Sequence, residues 1–200
     1  MNLQNPKKFK LLIDQAHQVA INVLRPISRK YDKAEHSYPK ELDMLASLVD
    51  GMNEGGEGMN AGAAVGKRGT NEQGNKNGVN LSTALSVIEM CYGDTALLLS
   101  MPRQGLGNSA IAAVANEEQL LRFKNIWAAM AITEPNCGSD SAAIRTTATK
   151  DGDDYILNGE KIFVTSGDRA DAIVVWATLD KKLGRSAIKS FVIPKGTAGM

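Results

Sequence analysis

Small polar residues follow an apolar run in the segment A-M-A-I-T-E-P-N-C-G-S-D-S, residues 129–141. The run from Met130 to Ile132 is typical of a strand, and Pro135, two residues after Thr133, cannot continue strand pairing. The residues after the proline are short, and turns of this kind expose main-chain N–H groups together with side-chain hydroxyls. The segment therefore predicts a binding turn for a planar, acceptor-rich or anionic ligand.

A second ordered segment, N-G-E-K-I-F-V-T-S-G, occupies residues 158–167. It carries an aromatic ring at Phe163 and a hydroxyl at Thr165, two positions apart, and a strand would place both on one side. We predict that the two segments form two walls of one cofactor site.

Together the two segments resemble the signatures of the acyl-CoA dehydrogenase family of flavoenzymes. Residues 133–140 match the pattern T-E-P-x-x-G-S-D, and residues 157–165 match L-N-G-x-K-x-(aromatic)-(aliphatic)-T at the usual separation. Two ordered motifs with the right gap are far more specific than a lone glycine pattern. The resemblance is clear over roughly residues 80–200 and fainter before them.

The resemblance implies an FAD site. In the family, the main chain and hydroxyl of the threonine in T-E-P bond the pyrimidine edge of FAD, and that role falls here on Thr133. The aromatic residue covers one face of the ring system and the next threonine points at flavin N5, which assigns Phe163 and Thr165. Ser139 takes the position that bonds the FAD pyrophosphate and lies beside the bound thioester. The remaining expected lining residues are Met130, Ala131, Ile132, Gly138 and Val164.

Two departures from the family pattern fall inside these motifs. Phe163 stands where the family usually has tryptophan, which keeps the stacking surface and loses an indole donor. Asn136, Cys137 and Gly138 stand where Gly-Ala-Gly is common, and asparagine tolerates a positive φ, so we expect the turn to survive.

Other titratable residues are expected to serve the structure rather than chemistry. Glu134 and Asp140 form a carboxylate pair on paper, but we expect both to be structural, with Asp140 capping a following turn. Cys137 has no histidine near it in sequence, so we do not predict a nucleophile. Arg103 could contact a phosphate of coenzyme A, although an ordinary surface charge is favoured.

Composition describes an ordinary globular chain. Its 200 residues are 43% hydrophobic and 22% charged, and a formal net charge of +1 gives no reason to expect a nucleic-acid surface. Two cysteines, Cys91 and Cys137, provide neither a disulfide framework nor zinc-ligand spacing. No apolar stretch is long enough for a signal peptide or a membrane span, so we expect a soluble cytoplasmic protein.

The first part of the chain has helical periodicity. One apolar stripe comprises Phe9, Leu12, Ala16, Val19, Val23 and Ile27, with Pro26 expected to kink or end that helix. A second helix is predicted from Pro39 to a stop at Gly51. Further inward-facing helical positions are predicted at Leu81, Leu85, Ile88, Tyr92, Leu106, Ile111, Val114, Leu121 and Phe123.

Residues 51–79 differ in composition from both neighbours. They contain nine glycines and five asparagines, in a spacing that fits neither a Walker loop nor a dinucleotide fingerprint. We predict a solvated loop or insertion rather than a phosphate site.

From residue 129 onward the period changes from that of a helix to that of a strand. Strands are predicted at 129–133, 143–149, 154–157, 161–165, 172–178 and 188–193. The predicted fold is α+β, with an N-terminal all-helical domain over 1–128 and an antiparallel β-barrel-like middle domain over 129–200. The resemblance adds a C-terminal helical bundle, and we expect this sequence to be truncated before it.

The implied function is that of an FAD-dependent oxidoreductase acting on the CH–CH group of an acyl-CoA thioester. An electron-transfer flavoprotein would accept the electrons, and the intact subunits would form a homodimer or homotetramer. The family's carboxylate base lies in the C-terminal bundle, so we predict no catalytic residue here and an inactive chain by itself. Alternatives are a flavin monooxygenase or nitroalkane oxidase of the same fold, or a non-catalytic remnant that acts as an interaction protein.

Overall fold

The computed structural model describes residues 7–53, 79–102 and 106–200. These residues form two compact units, a helical unit that ends at Pro102 and a mixed unit that contains residues 106–200. The two helices between 106 and 122 thus pack with the strands. The division of the protein into domains 1–128 and 129–200 stays a prediction.

The helical unit is built around one long interrupted helix. Its elements are a 3-10 turn at Lys7–Phe9, α1 at Lys10–Val19, a π-helical segment at Ala20–Leu24, α2 at Arg25–Lys33, α3 at Lys40–Asn53, α4 at Val79–Gly93 and α5 at Thr95–Leu99. The buried core of the unit consists of Ala16, Leu24, Leu42, Leu45, Met90, Leu97 and Met101. Of the predicted stripe, Ala16 belongs to this core, and Val19, Val23 and Ile27 are partly buried against it.

Pro26 was predicted to kink or to end this helix, and it does not end it. It occupies the first turn of α2, directly after the π-helical segment, and the helix continues to Lys33. In a regular α-helix the proline ring would clash with the carbonyl four residues earlier, and the wider π turn gives room for it.

Two further helix predictions need correction. Gly51 does not stop α3, which continues to Asn53 and buries Leu42 and Leu45. The predicted inward face of α4 is largely exposed, because Leu81, Ile88 and Tyr92 point to solvent while the face carrying Met90 packs on the core. Most of the predicted 51–79 loop and Arg103 lie outside the described residues.

The mixed unit contains a five-stranded sheet covered by short helices. Its elements are α6 at Leu106–Val114, α7 at Glu117–Arg122, β1 at Ala128–Ala131, β2 at Thr147–Asp151, β3 at Asp154–Asn158, β4 at Ala172–Thr178 and β5 at Ile188–Pro194. Short 3-10 turns occupy Ser141–Ala143 and Lys181–Ala187. No helix in the described ranges has the length and hydrophobicity needed to cross a bilayer.

This sheet is open and mixed, which corrects the predicted antiparallel barrel-like arrangement. Strand β4 pairs in parallel with β1 on one edge and antiparallel with β5 on the other. A single parallel bridge between Thr147 and Thr178 attaches the β2–β3 hairpin to β4. Parallel pairing requires a long connection between the strands, and the connection from β1 to β4, which includes that hairpin, is long enough.

The predicted strand at 161–165 does not form. These residues lie outside every strand, and a turn begins at Thr165. Phe163 and Ser166 have φ angles of 56° and 58°, values that no strand permits. The predicted strand at 143–149 likewise begins only at Thr147.

Helix α6 fixes the position of β1. Gly107 lies so close to the strand that a Cβ atom there would be 2.3 Å from the carbonyl oxygen of Ala129. The fully buried Asn108 donates to the carbonyl of Ile126 at 2.7 Å and accepts from the amide of Ala128 at 2.9 Å. The strand that leads to Thr133 is therefore held by backbone contact and by two hydrogen bonds to the buried Asn108.

Candidate cofactor site

The two predicted binding segments are adjacent in the structure. The backbone amide of Ile162 donates to the carbonyl of Thr133 at 2.9 Å. The Lys161 ammonium donates to the carbonyl of Ile132 at 2.9 Å. The segment that carries Phe163 thus crosses the end of β1 at the start of the T-E-P motif.

A tight loop follows Thr133. The amide of Glu134 donates to the carbonyl of Cys137 at 2.9 Å, and the amide of Cys137 donates back at 3.1 Å. This closure leaves Gly138 and Ser139 exposed after the loop. Gly138 lies beside Thr133, since a Cβ atom on the glycine would be 4.0 Å from the threonine methyl.

Phe163 has the conformation and exposure expected of a ligand-binding aromatic residue. Its side chain is 88% exposed and its φ of 56° is left-handed. The next residue, Val164, packs against the buried cluster that contains Trp127 and Ala129. Because Val164 is anchored in this cluster, the preceding phenylalanine ring points outward. A positive φ in a residue other than glycine is a strained backbone conformation, and such strain is concentrated at ligand sites.

Three hydroxyls of the two segments are available to a ligand. Within the described residues, those of Thr133, Ser139 and Thr165 make no hydrogen bond to protein. Thr133 and Thr165 are half-buried and Ser139 is exposed. Free hydroxyl donors and an exposed aromatic ring on two adjoining segments fit a planar, acceptor-rich group such as a flavin.

The other predicted lining residues differ in what they can contribute. Met130 is half-buried in β1, whereas Ala131 is buried, so the alanine can offer only its main chain. The carbonyl of Ile132 is already used by Lys161. No hydrogen bond in the described ranges connects Ser139 with residues 161–165, so the two motifs meet at Thr133 and not at Ser139.

Ile132 also lines a cavity of about 460 Å³. Its lining residues are Ile132, Ser141, Ala142, Ile144, Trp176, Arg185 and Ile188. The Nε1 of Trp176 is buried and has no hydrogen-bond partner in the described part of the chain. Sequence reasoning missed this cavity because its residues come from two strands, two 3-10 turns and the segments beside them, and carry no motif.

Glu134 has a structural role, as predicted. It is 6% exposed and accepts hydrogen bonds from the amides of Arg145 and Thr146, the Thr146 hydroxyl and the Lys161 ammonium. Burial by itself would raise the pKa of this carboxyl, but the bonds from Lys161 and Thr146 outweigh it and lower the pKa to about 2. A carboxylate so fully occupied is not available as a base.

Asp140 does not cap the following turn as predicted. It stands directly before the 3-10 turn at Ser141–Ala143, but its side chain makes no capping hydrogen bond. Its carbonyl oxygen instead accepts from the amide of Ala143 at 3.0 Å. Among the described side chains, no cluster could hold a metal ion.

Residues 129–200 match the family model described as the middle domain of acyl-CoA dehydrogenases. Over 207 residues the chain is 32% identical to the cyclohex-1-ene-1-carbonyl-CoA dehydrogenase of Syntrophus aciditrophicus, covering 96% of this chain and 44% of the relative. The chain belongs to the acyl-CoA dehydrogenase family.

Other acyl-CoA dehydrogenases match over the same extent. The short-chain acyl-CoA dehydrogenase of Clostridium acetobutylicum is 31% identical, with 100% of this chain and 51% of that protein covered. The butyryl-CoA dehydrogenase structure from Megasphaera elsdenii superposes with a TM-score of 0.73 at 28% identity, covering 100% and 51% of the two chains. The chain thus spans about half the length of the acyl-CoA dehydrogenases that it matches.

Proposed function

We propose that this chain forms the flavin-binding part of an FAD-dependent acyl-CoA dehydrogenase. The observation that carries the proposal is the hydrogen bond of 2.9 Å between the Ile162 amide and the Thr133 carbonyl. It brings an exposed aromatic ring and free hydroxyls from two separate motifs to one edge of the sheet. Family membership supports FAD as the group that this edge receives.

Each residue of the edge has a distinct proposed role. FAD, when bound, supplies an acceptor for the hydride that leaves the substrate. Phe163 covers one ring face and keeps water from it, and the Thr165 hydroxyl donates at N5, where negative charge develops. Thr133 binds the pyrimidine edge with its main chain and hydroxyl, and Ser139 reaches the pyrophosphate and the thioester. Met130, Ala131, Ile132, Gly138 and Val164 complete the lining.

The proposed substrate of the intact protein is an acyl-CoA thioester, oxidised at its CH–CH group. Two of the relatives carry this chemistry in their names, as dehydrogenases of a cyclohexenecarbonyl-CoA and of short-chain acyl-CoA. We assign the cavity beside Ile132 to the coenzyme arm, because Arg185 lines it and offers a positive charge. We assign no general base to the described residues.

Three further parts complete the proposal. An electron-transfer flavoprotein accepts the electrons, the intact subunits form a homodimer or homotetramer, and the protein works in the cytoplasm.

Titration of the purified chain with FAD tests the flavin site. We expect saturable quenching of flavin fluorescence, weakened by Phe163→Ala together with Thr165→Val. The control is Tyr155→Ala, which removes an exposed aromatic residue of β3 whose ring packs on Phe191 of β5. A chain that shows no saturable flavin binding would favour the non-catalytic interaction protein instead.

A second titration separates the enzyme alternatives. With FAD bound, acyl-CoA should perturb the visible spectrum of the flavin and a nitroalkane should not. The reverse result would favour the nitroalkane oxidase alternative and contradict the acyl-CoA dehydrogenase proposal.

A further inference from the structure

A buried ion pair connects the two segments of the candidate flavin site. The Lys161 ammonium lies 2.8 Å from a carboxylate oxygen of Glu134, and the two side chains are 9% and 6% exposed. Glu134 directly follows Thr133, and Lys161 lies two residues before Phe163. The pair therefore sits at the point where the two proposed walls of the site meet.

Three hydrogen bonds from two consecutive residues fix the crossing of the segments. Lys161 donates from one ammonium to the carbonyl of Ile132 and to the carboxylate of Glu134. Ile162 donates its amide to the carbonyl of Thr133, which lies between those two acceptors. Residues 132, 133 and 134 thus each hold one bond to the second segment, so a slip of either segment would break all three.

The carboxylate also anchors the crossing to the sheet. Glu134 accepts from the amide and hydroxyl of Thr146, at 2.9 and 2.6 Å, directly before β2 begins. Gly159 packs on the same threonine, because a Cβ atom at the glycine would be 2.5 Å from the Thr146 hydroxyl. The second segment is therefore held at two points, by Gly159 against Thr146 and by Lys161 against Glu134.

This arrangement is better suited to fixing geometry than to adding stability. A buried ion pair often contributes little net stability, because removing both charges from water costs as much as their attraction returns. It does select one arrangement of donors and acceptors, since any other leaves a buried charge without a partner. Flavin binding needs such selection, because the hydroxyls at Thr133 and Thr165 come from different segments.

We propose that Glu134 and Lys161 are positioning residues for the flavin site. They hold the Phe163–Thr165 segment in register with Thr133, while neither side chain touches the cofactor. The proposal rests on the proposed function for its ligand, FAD. It names a role that the motif match alone does not assign to these two residues.

The test uses a neutral double variant of the full chain, Glu134→Gln with Lys161→Met, which removes both charges together. We expect the double variant to fold, with an unchanged far-UV spectrum, and to bind FAD about tenfold more weakly, equal to about 1.4 kcal/mol. We also expect the midpoint potential and visible spectrum of the remaining bound flavin to shift, because the Thr165 donor is no longer held at one position. If the pair were purely structural, the double variant would have a lower melting temperature, but its affinity for FAD and the potential and spectrum of its flavin would be unchanged.

A surface pair in the helical unit provides the matched control. Lys30 and Glu41 are 2.6 Å apart and substantially exposed, so Lys30→Met with Glu41→Gln removes the same charges elsewhere. We expect that control to bind FAD as the unmodified chain does. Equal affinity, potential and spectrum in the buried double variant and in this control would overturn the proposal.

Two further measurements keep the outcomes separate. If the double variant does not fold, the variant Lys161→Arg replaces it in the test. Arginine keeps the positive charge but has a planar guanidinium in place of a compact ammonium. A folded Lys161→Arg variant with unchanged FAD affinity and potential would also overturn the proposal. Amide exchange at Ile162 needs no flavin, and we expect it to be at least about tenfold faster in the double variant. Absence of FAD binding by the unmodified chain would refute the proposed function, whereas unchanged exchange at Ile162 would refute the positioning role.

Discussion

Phe163 combines two features that a stable fold rarely keeps together. Its ring is almost fully exposed and its backbone is left-handed, so the residue gains little from burial and loses backbone energy. The fold retains this conformation because Val164 is packed on one side and Lys161 is bonded on the other. The residue that has this unfavourable backbone conformation is therefore one that we propose to contact a ligand.

The strain at Phe163 can be measured by comparing two small residues there. We expect Phe163→Gly to have a higher free energy of unfolding than Phe163→Ala by about 1 kcal/mol, because only glycine adopts a positive φ without cost. Chemical denaturation of both variants checks this. The control position is Glu160, which is exposed and has no positive φ. There the alanine variant should be more stable than the glycine variant. If alanine were the more stable residue at both positions, Phe163 would not have a strained backbone.

Glu134 predicts an acid-sensitive contribution to stability. Folding lowers the pKa of its carboxyl from 4.5 to about 2, against the effect of burial, through the bonds from Lys161 and Thr146. Its charged form therefore stabilises the fold above about pH 4.5, and this contribution is lost as the pH falls toward about 2. We expect the stability difference between the unmodified chain and Glu134→Gln to shrink over that interval.

Denaturation curves at several pH values measure this difference. The control variant is Asp153→Asn, in the exposed turn of the β2–β3 hairpin, whose difference from the unmodified chain should be small throughout. A difference for Glu134→Gln that stays constant from about pH 5 to about pH 2 would mean that the carboxylate does not hold this network together.

At the scale of elements, the position of the site depends on how α6 packs on β1. Gly107 allows the helix backbone to approach the strand, and Asn108 satisfies the strand's own polar groups from within the helix. Neither residue belongs to a binding motif. Both nevertheless hold the first residues of β1, the strand that leads to Thr133.

Gly107→Ala should destabilise the mixed unit strongly. The added Cβ would lie 2.3 to 2.6 Å from backbone atoms of Ala128 and Ala129, which cannot move aside as a flexible side chain could. We expect a loss of about 2 to 3 kcal/mol in the free energy of unfolding, at the upper end of overpacking effects. Ser109→Ala, on the exposed side of α6, should change stability by less than about 0.5 kcal/mol. Similar unfolding curves for the two variants would show that the helix can shift away from the strand.

The elements also show where sequence reasoning succeeds and where it fails. The T-E-P segment and the segment around Phe163 could be identified because each is contiguous in sequence. The strand predicted at 161–165 was wrong because a tertiary packing contact of Val164 and two bonds of Lys161 override its alternating pattern. The network around Glu134 and the cavity beside Ile132 join residues far apart in sequence, and no local pattern encodes them.

At the scale of the molecule, the residues proposed to bind flavin all lie in the mixed unit. None of the nine predicted lining residues comes from the helical unit, whose described residues end at Pro102. A ligand stabilises only the structure that must be intact for it to bind. The two units should therefore respond differently to FAD, and hydrogen exchange can report each of them in the same sample.

We expect FAD to slow amide exchange chiefly in residues 128–178 of the mixed unit. At a free concentration about 100 times its dissociation constant, FAD should add about 2.7 kcal/mol to the stability of the structure it binds. Slowly exchanging amides of β1 and β4, which open only when the sheet does, should show this increase. Amides of α1 and α2 should exchange at unchanged rates unless their unit also contributes to the site.

The chain carrying Phe163→Ala and Thr165→Val is the matched sample for this experiment. Both side chains lie at the proposed flavin edge, and the exposed phenylalanine contributes little to the core, so this variant should fold and lose the FAD-dependent protection. Protection that persists in the variant would place the flavin elsewhere. Protection confined to the helical unit would contradict the assignment of the mixed unit as the flavin-binding part, whatever the affinity.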